Sequence, residues 1–277
     1  MMNYYFNEDK TIKLYNEDCL VVLDRLIEKG VQVDLTVTSP PYDDIRDYNN
    51  TLVWNFNVFK EVAQKLYTIT KNGGILVWVV GDSVKNGSKT LTSFEQAVYF
   101  KSIGFNVYDV IIYHKTSTAP PHKNRYFNTF EYMFILSKGK PKTINLIKDR
   151  KNKYAGTMSG LRTIREKDGR LTERDRVLVS DYGYRTNIWS YAVGNNKSTT
   201  DKIAYKHPAI FPEKLAQDHI LSWSNKGDLV LDCFMGSGTT GKMCKLLNRR
   251  FIGIEKVENY FNISIQRIEG INNENNH

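Results

Sequence analysis

The sequence predicts an α/β fold in which helices cover both faces of a mainly parallel sheet. Three short apolar runs predict buried strands, and these are residues 33–38 (VDLTVT), 74–80 (GILVWVV) and 228–232 (DLVLD). Each run is flanked by Gly, Pro or Asn, which are typical of strand ends. Helical patterns alternate with these strands, and near-continuous Val, Ile and Leu are typical of strands that are buried on both faces.

Two amphipathic helices and three more strands are also predicted. The apolar residues that recur at helical spacing are Phe56, Phe59, Val62 and Leu66 in the first helix, and Val257, Tyr260, Phe261, Ile265 and Ile268 in the second. Residues 251–255 (FIGIE) predict a strand before the second helix. Residues 106–113 and 130–136 follow each other without a clear helix between them, so we expect an antiparallel pair at one edge of the sheet.

The composition indicates one or two ordinary globular domains. The 277 residues carry a net charge of +9, with 41% hydrophobic and 25% charged residues, which excludes a largely disordered, collagen-like or coiled-coil chain. Cys19, Cys233 and Cys244 are scattered, so we expect small apolar fillers, no disulfide framework and no metal site. No apolar run is long enough to span a membrane, and residues 1–10 lack the apolar core of a leader, so we expect a cytoplasmic protein.

Basic charge is concentrated in residues 139–185. This segment holds 13 Lys or Arg and 6 Asp or Glu, so its net charge of +7 is most of the +9 of the chain. The chain also has 17 Tyr, 13 Phe and 4 Trp, which together with basic charge are typical of proteins that bind nucleic acid. The segment therefore predicts an inserted module that faces a polyanion, with a solvated surface insertion as the alternative. Residues 1–138 and 186–277 would then form the α/β domain.

A glycine-rich turn, residues 232–240 (DCFMGSGTT), joins a predicted strand to a helix that is predicted to begin near Thr239. Gly236 and Gly238 lack the side chains that would block a ligand, and a helix start presents unpaired N–H groups. Glu255 ends the following strand 19 residues after Gly236, a separation typical of carboxylates that bind ribose hydroxyls. The turn matches neither the dinucleotide fingerprint nor a Walker loop. It predicts a different nucleoside-bearing cofactor, with a merely structural turn as the alternative.

A diproline corner, residues 38–42 (TSPPY), follows the first predicted strand at its carboxyl end, where open α/β sheets bind their ligands. Two prolines stiffen this backbone, so the Ser39 hydroxyl and the Pro40 carbonyl can be held as fixed hydrogen-bond acceptors. Tyr42 offers an aromatic face beside them. The corner suits the exocyclic amino group of a nucleobase, and a rigid loop without a ligand is the alternative.

Together, the two motifs resemble those of the amino-group DNA methyltransferases that use S-adenosyl-L-methionine. Residues 16–18 (NED), 207–215 (HPAIFPEKL) and 124–138 around Arg125 resemble further elements of that family. The diproline motif precedes the glycine motif and the basic segment lies between them, which is the order of the family's circularly permuted beta group. The resemblance implies a Rossmann-like methyltransferase sheet, with the basic segment as its target-recognition region.

The resemblance also implies roles for individual residues. The implied catalytic residues are Ser39, Pro40, Pro41 and Tyr42. The implied cofactor-binding residues are Asp18, Thr38, Phe211, Asp232, Phe234, Gly236, Ser237, Gly238, Thr239 and Glu255. The implied DNA-binding residues are Arg125, Arg162, Arg165 and Arg170. In this interpretation Tyr42 stacks on a base that has been flipped out of double-stranded DNA. Tyr48 and Trp54 are candidates for the rest of the pocket wall and equally for the core.

The residue at position 39 bears on which base is modified. Family members that act on adenine more often have Asp or Asn there, so Ser39 favours cytosine N4, and adenine N6 is the alternative.

Two other classes of protein remain as alternatives. A protein-glutamine or RNA methyltransferase would share the cofactor site but has less need of a basic insertion, and a non-enzymatic DNA-binding module would not need an adenosine site. The resemblance implies a restriction-modification setting with a companion restriction endonuclease, and it leaves the oligomeric state open.

Overall fold

The chain folds around a large mixed sheet. The computed structural model describes residues 4–41, 54–117, 124–194 and 196–270. The strands in these ranges are β1 (Tyr4–Phe6), β2 (Ile12–Tyr15), β3 (Val33–Thr38), β4 (Thr70–Val80), β5 (Val84–Lys85), β6 (Ser88–Lys89), β7 (Asn106–Lys115), β8 (Phe130–Ser137), β9 (Lys148–Lys151), β10 (Arg162–Arg165), β11 (Leu171–Arg174), β12 (Tyr182–Tyr184), β13 (Ile188–Tyr191), β14 (Leu229–Asp232) and β15 (Arg250–Ile254). The helices are α1 (Cys19–Glu28), α2 (Phe56–Ile69), α3 (Thr92–Ser102), α4 (Glu213–Trp223), α5 (Thr239–Leu246) and α6 (Glu258–Glu269), with a 3₁₀ turn at Lys202–Lys206.

Nine of the described strands form the main sheet, in the order β1-β2-β15-β14-β3-β4-β8-β7-β13. The five strands from β2 to β4 are mutually parallel, β8 runs antiparallel to both β4 and β7, and β13 runs parallel to β7. The carboxyl ends of β15, β14, β3, β4 and β7 therefore meet at one edge of the sheet, together with the amino end of β8. This edge is where open α/β sheets bind ligands.

The predicted strands and helices are confirmed, with small differences at their ends. Strand β3 has the predicted bounds, and β4 begins earlier, at Thr70. In α2 the residues Phe59, Val62 and Leu66 are fully buried, whereas Phe56 in the first turn is 39% exposed. The Asn55 side chain accepts hydrogen bonds from two backbone N–H groups of that turn and so fixes where the helix begins.

The prediction that the antiparallel pair forms the edge of the sheet was wrong. Strands β7 and β8 do form an antiparallel pair, but β13 pairs with β7 and extends the sheet by one more strand. Within β13 the side chains of Trp189 and Tyr191 are buried and alternate with exposed neighbours. Four residues are too few for this alternation to predict a strand on their own, and the pairing partner lies more than 70 residues earlier in the chain.

Two of the three cysteines are fully enclosed. Cys233 and Cys244 are buried and Cys19 is partly buried. Burial raises the pKa of the Cys19 thiol to about 12 and raises those of Cys233 and Cys244 well above their ordinary value. These thiols stay protonated near neutral pH and therefore act as the small apolar side chains that the sequence indicated.

A second compact unit comprises Leu146–Asn187, and the rest of the chain forms the first. It contains two antiparallel strand pairs, β10 with β11 and β9 with β12. The sequence analysis predicted that the inserted basic segment runs from residue 139 to residue 185. Its first residues instead belong to the main unit, because the Lys142 N–H bonds the Gly73 carbonyl at 3.0 Å and the Asn145 N–H bonds the Ser222 carbonyl at 2.8 Å.

No helix in the described part of the chain has the length and apolar character needed to cross a membrane. In the same residues, no three or more His, Cys, Asp or Glu side chains are grouped so that they could hold a metal ion.

Candidate active site

A cavity of about 500 Å³ lies at the carboxyl edge of the main sheet. Ser39, Pro40 and Pro41 line it from the end of β3, and Gly236 and Ser237 line it from the turn after β14. The diproline corner and the glycine turn are far apart in the sequence, yet they face the same space. The structure therefore brings together the two stretches that the sequence singled out.

The two stretches are joined by a buried hydrogen bond between the ends of β3 and β14. Thr38 Oγ1 donates to Asp232 Oδ1 at 2.7 Å, although the two residues are 194 positions apart. The same carboxylate accepts a hydrogen bond from the Phe234 N–H at 3.1 Å and one from Thr240 Oγ1 at 2.8 Å. Burial raises the pKa of Asp232 to about 6 even though these three hydrogen bonds lower it. Asp232 and Thr38 line the cavity, and their polar groups hold the two chain segments against each other.

Gly236 and Gly238 are both in the left-handed region, with φ of +53° and +80°. A Cβ on Gly236 would lie 2.9 Å from Nε2 of His207, which also lines the cavity. Gly238 is different: it does not line the cavity, and a Cβ there would lie 2.6 Å from the Cβ of Ser264 in α6. The expectation that Gly238 leaves space for a ligand is thus corrected, since its missing side chain makes room for a helix.

Acidic side chains lie along one side of the cavity. Glu255 accepts hydrogen bonds from the N–H groups of Gly236 and Val257, both at 2.8 Å. Burial raises the pKa of Glu255 to about 7, and these two hydrogen bonds oppose the shift. Asp18 caps α1 by accepting from the Leu20 N–H at 3.0 Å and forms an ion pair with Lys256 at 3.1 Å. Both carboxylates line the cavity and so can also face a bound ligand.

Aromatic rings supply apolar parts of the wall. Phe211 and Phe234 line the cavity. Trp54 packs edge-on against Phe234, with ring centroids 5.3 Å apart, so it supports the wall from behind and does not itself line the cavity. The proposed stacking residue Tyr42 and the further candidate Tyr48 lie outside the described residues.

Sequence reasoning missed the buried arginine that fixes the glycine turn. Arg267 of α6 is fully buried and donates to the Ser237 carbonyl at 2.7 Å. It also donates to the hydroxyls of Ser237 and Thr239, both at 3.0 Å. Ser237 and Thr239 line the cavity as expected, but their hydroxyls bond to this guanidinium. A weak signal was present, because Arg267 lies seven positions after Tyr260 and so borders the helical face that the sequence predicts to be buried.

Arg267 belongs to a cluster of two cations and two anions. Asp201 and Glu213 each form ion pairs with both Arg267 and Lys242, at distances from 2.8 to 3.0 Å. Burial alone would raise the pKa of Asp201, but hydrogen bonds and charge from Lys242 and Arg267 outweigh burial and lower it. The cluster thereby carries paired, balanced charge beneath the turn.

The four arginines expected to contact DNA do not line the cavity. Arg125 is exposed and donates to the carbonyl of Gly87, between β5 and β6. Arg162 and Arg165 are exposed on β10, in the second unit. Arg170 is also exposed there and forms an ion pair with Asp168 at 2.8 Å.

The sequence matches the profile of the N6/N4 methyltransferase family, described as DNA methylase, over residues 33–266. Orphan methyltransferase M.BamHII of Bacillus amyloliquefaciens is 56% identical over 239 residues, which are 86% of this chain and 89% of that protein.

Solved structures show the same fold. The PvuII DNA methyltransferase, described as cytosine-N4-specific, superposes with a TM-score of 0.66 over 92% of this chain and 86% of its own, at 19% identity. A complex of M1.HpyAVI with SAM superposes with a TM-score of 0.61 over 93% of this chain and 99% of its own, at 24% identity. The large sheet flanked by helices is thus the Rossmann-like methyltransferase fold that the sequence predicted.

The hydrogen bond between Thr38 and Asp232 can be tested against a matched position on the same strand. We expect Thr38→Val to lower the free energy of unfolding by about 1–3 kcal/mol, because it removes a donor from a buried carboxylate. Thr36 is also fully buried on β3, and its hydroxyl has no hydrogen-bond partner among the described residues. Thr36→Val should therefore be neutral or stabilising in urea unfolding. Equal losses of unfolding free energy in the two variants would show that the hydrogen bond from Thr38 to Asp232 does not stabilise the protein.

The raised pKa of Glu255 predicts a pH-dependent stability. Because the folded-state pKa of about 7 exceeds the ordinary value of 4.5, the folded protein holds this proton more tightly than the unfolded chain does. The resulting stabilisation is complete below pH 4.5 and is lost as the pH rises through 7. Relative to Glu255→Gln, the wild type should lose on the order of 2–3 kcal/mol of unfolding free energy between about pH 4.5 and pH 8. If the unfolding free energies of the wild type and Glu255→Gln changed with pH in the same way, the pKa of Glu255 would not be raised.

Proposed function

The chain belongs to the N6/N4 DNA methylase family, the amino-group DNA methyltransferases. From this premise we propose that it is a site-specific enzyme that moves the methyl group of S-adenosyl-L-methionine to an exocyclic amino group of a flipped base, with cytosine N4 as the favoured atom. The observation that carries the proposal is the single cavity shared by the diproline corner and the glycine turn.

The residues around the glycine turn fit S-adenosyl-L-methionine. A cavity of about 500 Å³ is in the usual size range for small-molecule sites. Asp18 and Glu255 offer carboxylates to hydroxyl and amino groups, Phe211 and Phe234 offer apolar faces, and the left-handed Gly236 brings bare backbone to the cavity. When bound, the cofactor supplies an electrophilic methyl group on a sulfonium sulfur.

The diproline corner would hold the nucleophile. The amino nitrogen of cytosine or adenine is a poor nucleophile because its lone pair is delocalised into the ring. Hydrogen bonds from this group to the Ser39 hydroxyl and the Pro40 carbonyl would help to localise the lone pair, and the two prolines keep both acceptors in place. Tyr42 would stack on the flipped base. The cysteines are buried or partly buried and protonated, which agrees with a mechanism that needs no covalent enzyme intermediate.

The choice of cytosine rests on Ser39, and N6 methylation of adenine is the second candidate. The PvuII enzyme is described as cytosine-N4-specific, but at 19% identity its likeness concerns the fold alone. A restriction-modification setting, a companion endonuclease and a cytoplasmic location stay predictions from the sequence.

We propose that the second unit contacts double-stranded DNA. Between Leu146 and Asn187 the chain has 11 Lys or Arg and 6 Asp or Glu. Arg162 on β10 stands directly opposite Arg174 on β11, and both are exposed. Like charges at opposed positions destabilise a strand pair, so this arrangement favours an anionic partner such as the phosphate backbone. Arg165 at the other end of β10 and Arg170 in the following turn are proposed to add to this attraction, and Arg125 of the main unit is proposed as a further DNA contact.

Product analysis tests the proposed function directly. The protein would be incubated with labelled S-adenosyl-L-methionine and unmethylated DNA, and the DNA would then be digested to nucleosides for mass spectrometry. We expect N4-methylcytosine. N6-methyladenine would establish the second candidate, whereas DNA that takes up no label would contradict a DNA methyltransferase.

The proposed DNA surface predicts a weaker salt dependence in a double variant. If Arg162 and Arg165 neutralise phosphates, their replacement by Ala should lower DNA affinity and reduce the slope of log K against log salt by about one to two. Arg250→Ala is the control, because Arg250 is an exposed arginine of the main unit, on β15, and is not part of the second unit. An unchanged slope of log K against log salt in the double variant would show that Arg162 and Arg165 do not contact the DNA phosphates.

A further inference from the structure

A second group of polar side chains lines the same cavity, away from the glycine turn. Tyr113 and Lys115 lie near the carboxyl end of β7, and Glu131 lies near the amino end of β8. Tyr113 and Glu131 are directly opposed in the antiparallel register. Side chains two apart on a strand share a face, so the three side chains project from the same side of the sheet.

The sheet topology explains why this group faces the diproline corner. The order β3-β4-β8-β7 places β4 between the corner and the group, and β4 ends at Val80. The next residue is Gly81, where a Cβ would lie 3.2 Å from the Cγ of Glu131. The absence of a side chain at this position leaves room for Glu131 beside the end of β4.

The group holds a partly buried charge. Lys115 and Glu131 form an ion pair in which the side chains are only 25% and 10% exposed, and the Lys115 ammonium lies 5.5 Å from the centroid of the Tyr113 ring. Withdrawing such a pair from water costs free energy that an apolar pair would avoid. A lysine has three N–H donors, and within the described residues Glu131 is its only hydrogen-bond partner. The ammonium therefore has donor capacity to offer inside the cavity.

We propose that Lys115 donates a hydrogen bond to O2 of the target cytosine and so determines which base is accepted, with Glu131 as its positioning residue. This inference rests on the proposed function. When the exocyclic amino groups of cytosine and adenine are superposed, the cytosine O2 coincides with the C2–H of adenine. An ammonium aimed there gains an acceptor from cytosine and none from adenine, and an unmatched buried donor is costly.

Steady-state kinetics with a matched control test the role of Lys115. We expect Lys115→Met to lower kcat/KM for DNA by about 10- to 100-fold, as for loss of a hydrogen bond to a charged donor, with cofactor affinity unchanged. Lys138→Met is the control. Lys138 also lies over a tyrosine ring, 4.5 Å from the Tyr67 centroid, but it follows the carboxyl end of antiparallel β8 and thus lies at the opposite edge of the sheet. Wild-type kinetics in Lys115→Met, or lost cofactor binding, would overturn the proposal.

Glu131 is tested by comparing two substitutions. Glu131→Gln keeps an oxygen acceptor for Lys115 and should retain most of kcat/KM for DNA. Glu131→Leu removes the acceptor and should reduce it as far as Lys115→Met does. A residue with a merely structural role would not give this rescue, so equal effects of the two variants would exclude Glu131 as a positioning residue.

A modified substrate tests the contact in the wild-type protein itself, with Lys115→Met as the reference. Once the modified cytosine has been located, it is replaced by 2-thiocytosine, whose sulfur is a weak acceptor. We expect kcat/KM of the wild type to fall about tenfold or more, and the same replacement to have little effect on Lys115→Met. Equal losses in both proteins would overturn the proposal for Lys115. A wild-type product of N6-methyladenine would instead overturn the cytosine assignment itself, so the two failures are distinguishable.

Discussion

The hydrogen bond from Thr38 to Asp232 fixes the geometry on which the rest of the site depends. Strands β3 and β14 are paired neighbours in the sheet, so their carboxyl ends lie side by side. The buried carboxylate bonds the last residue of β3, the backbone after β14 and the first turn of α5. The diproline corner and the glycine turn therefore leave the sheet from one anchored point and line one cavity.

Buried charged side chains hold the glycine turn from two sides. Arg267 reaches the turn from α6 and bonds both its backbone and its hydroxyls, while Asp201, Glu213 and Lys242 balance its charge. Glu255 holds the Gly236 N–H from the other side. Breaking such a network leaves an uncompensated buried charge, so the network resists rearrangement. A site held in this way has its polar groups in place before a ligand arrives, which is what electrostatic catalysis requires.

The features that the sequence predicted are those written in local patterns. The apolar run of β3, the turn before α5 and the acid at the end of β15 each depend on a few consecutive residues or one short spacing. The features that it missed depend on contacts between distant segments. Nothing near Gly238 reveals that Ser264 of α6 packs against it. Likewise, the pairing of Lys115 with Glu131 follows from the register of β7 and β8, which sequence patterns do not specify.

A crystal structure of the protein with S-adenosyl-L-homocysteine would show whether the corner and the turn form one site for one cofactor. We expect the adenosine moiety to contact the turn near Gly236 and Glu255 and the sulfur to face the corner at Pro40. A ligand bound at the turn but directed away from Ser39 and Pro40, or bound in another cleft, would contradict this expectation.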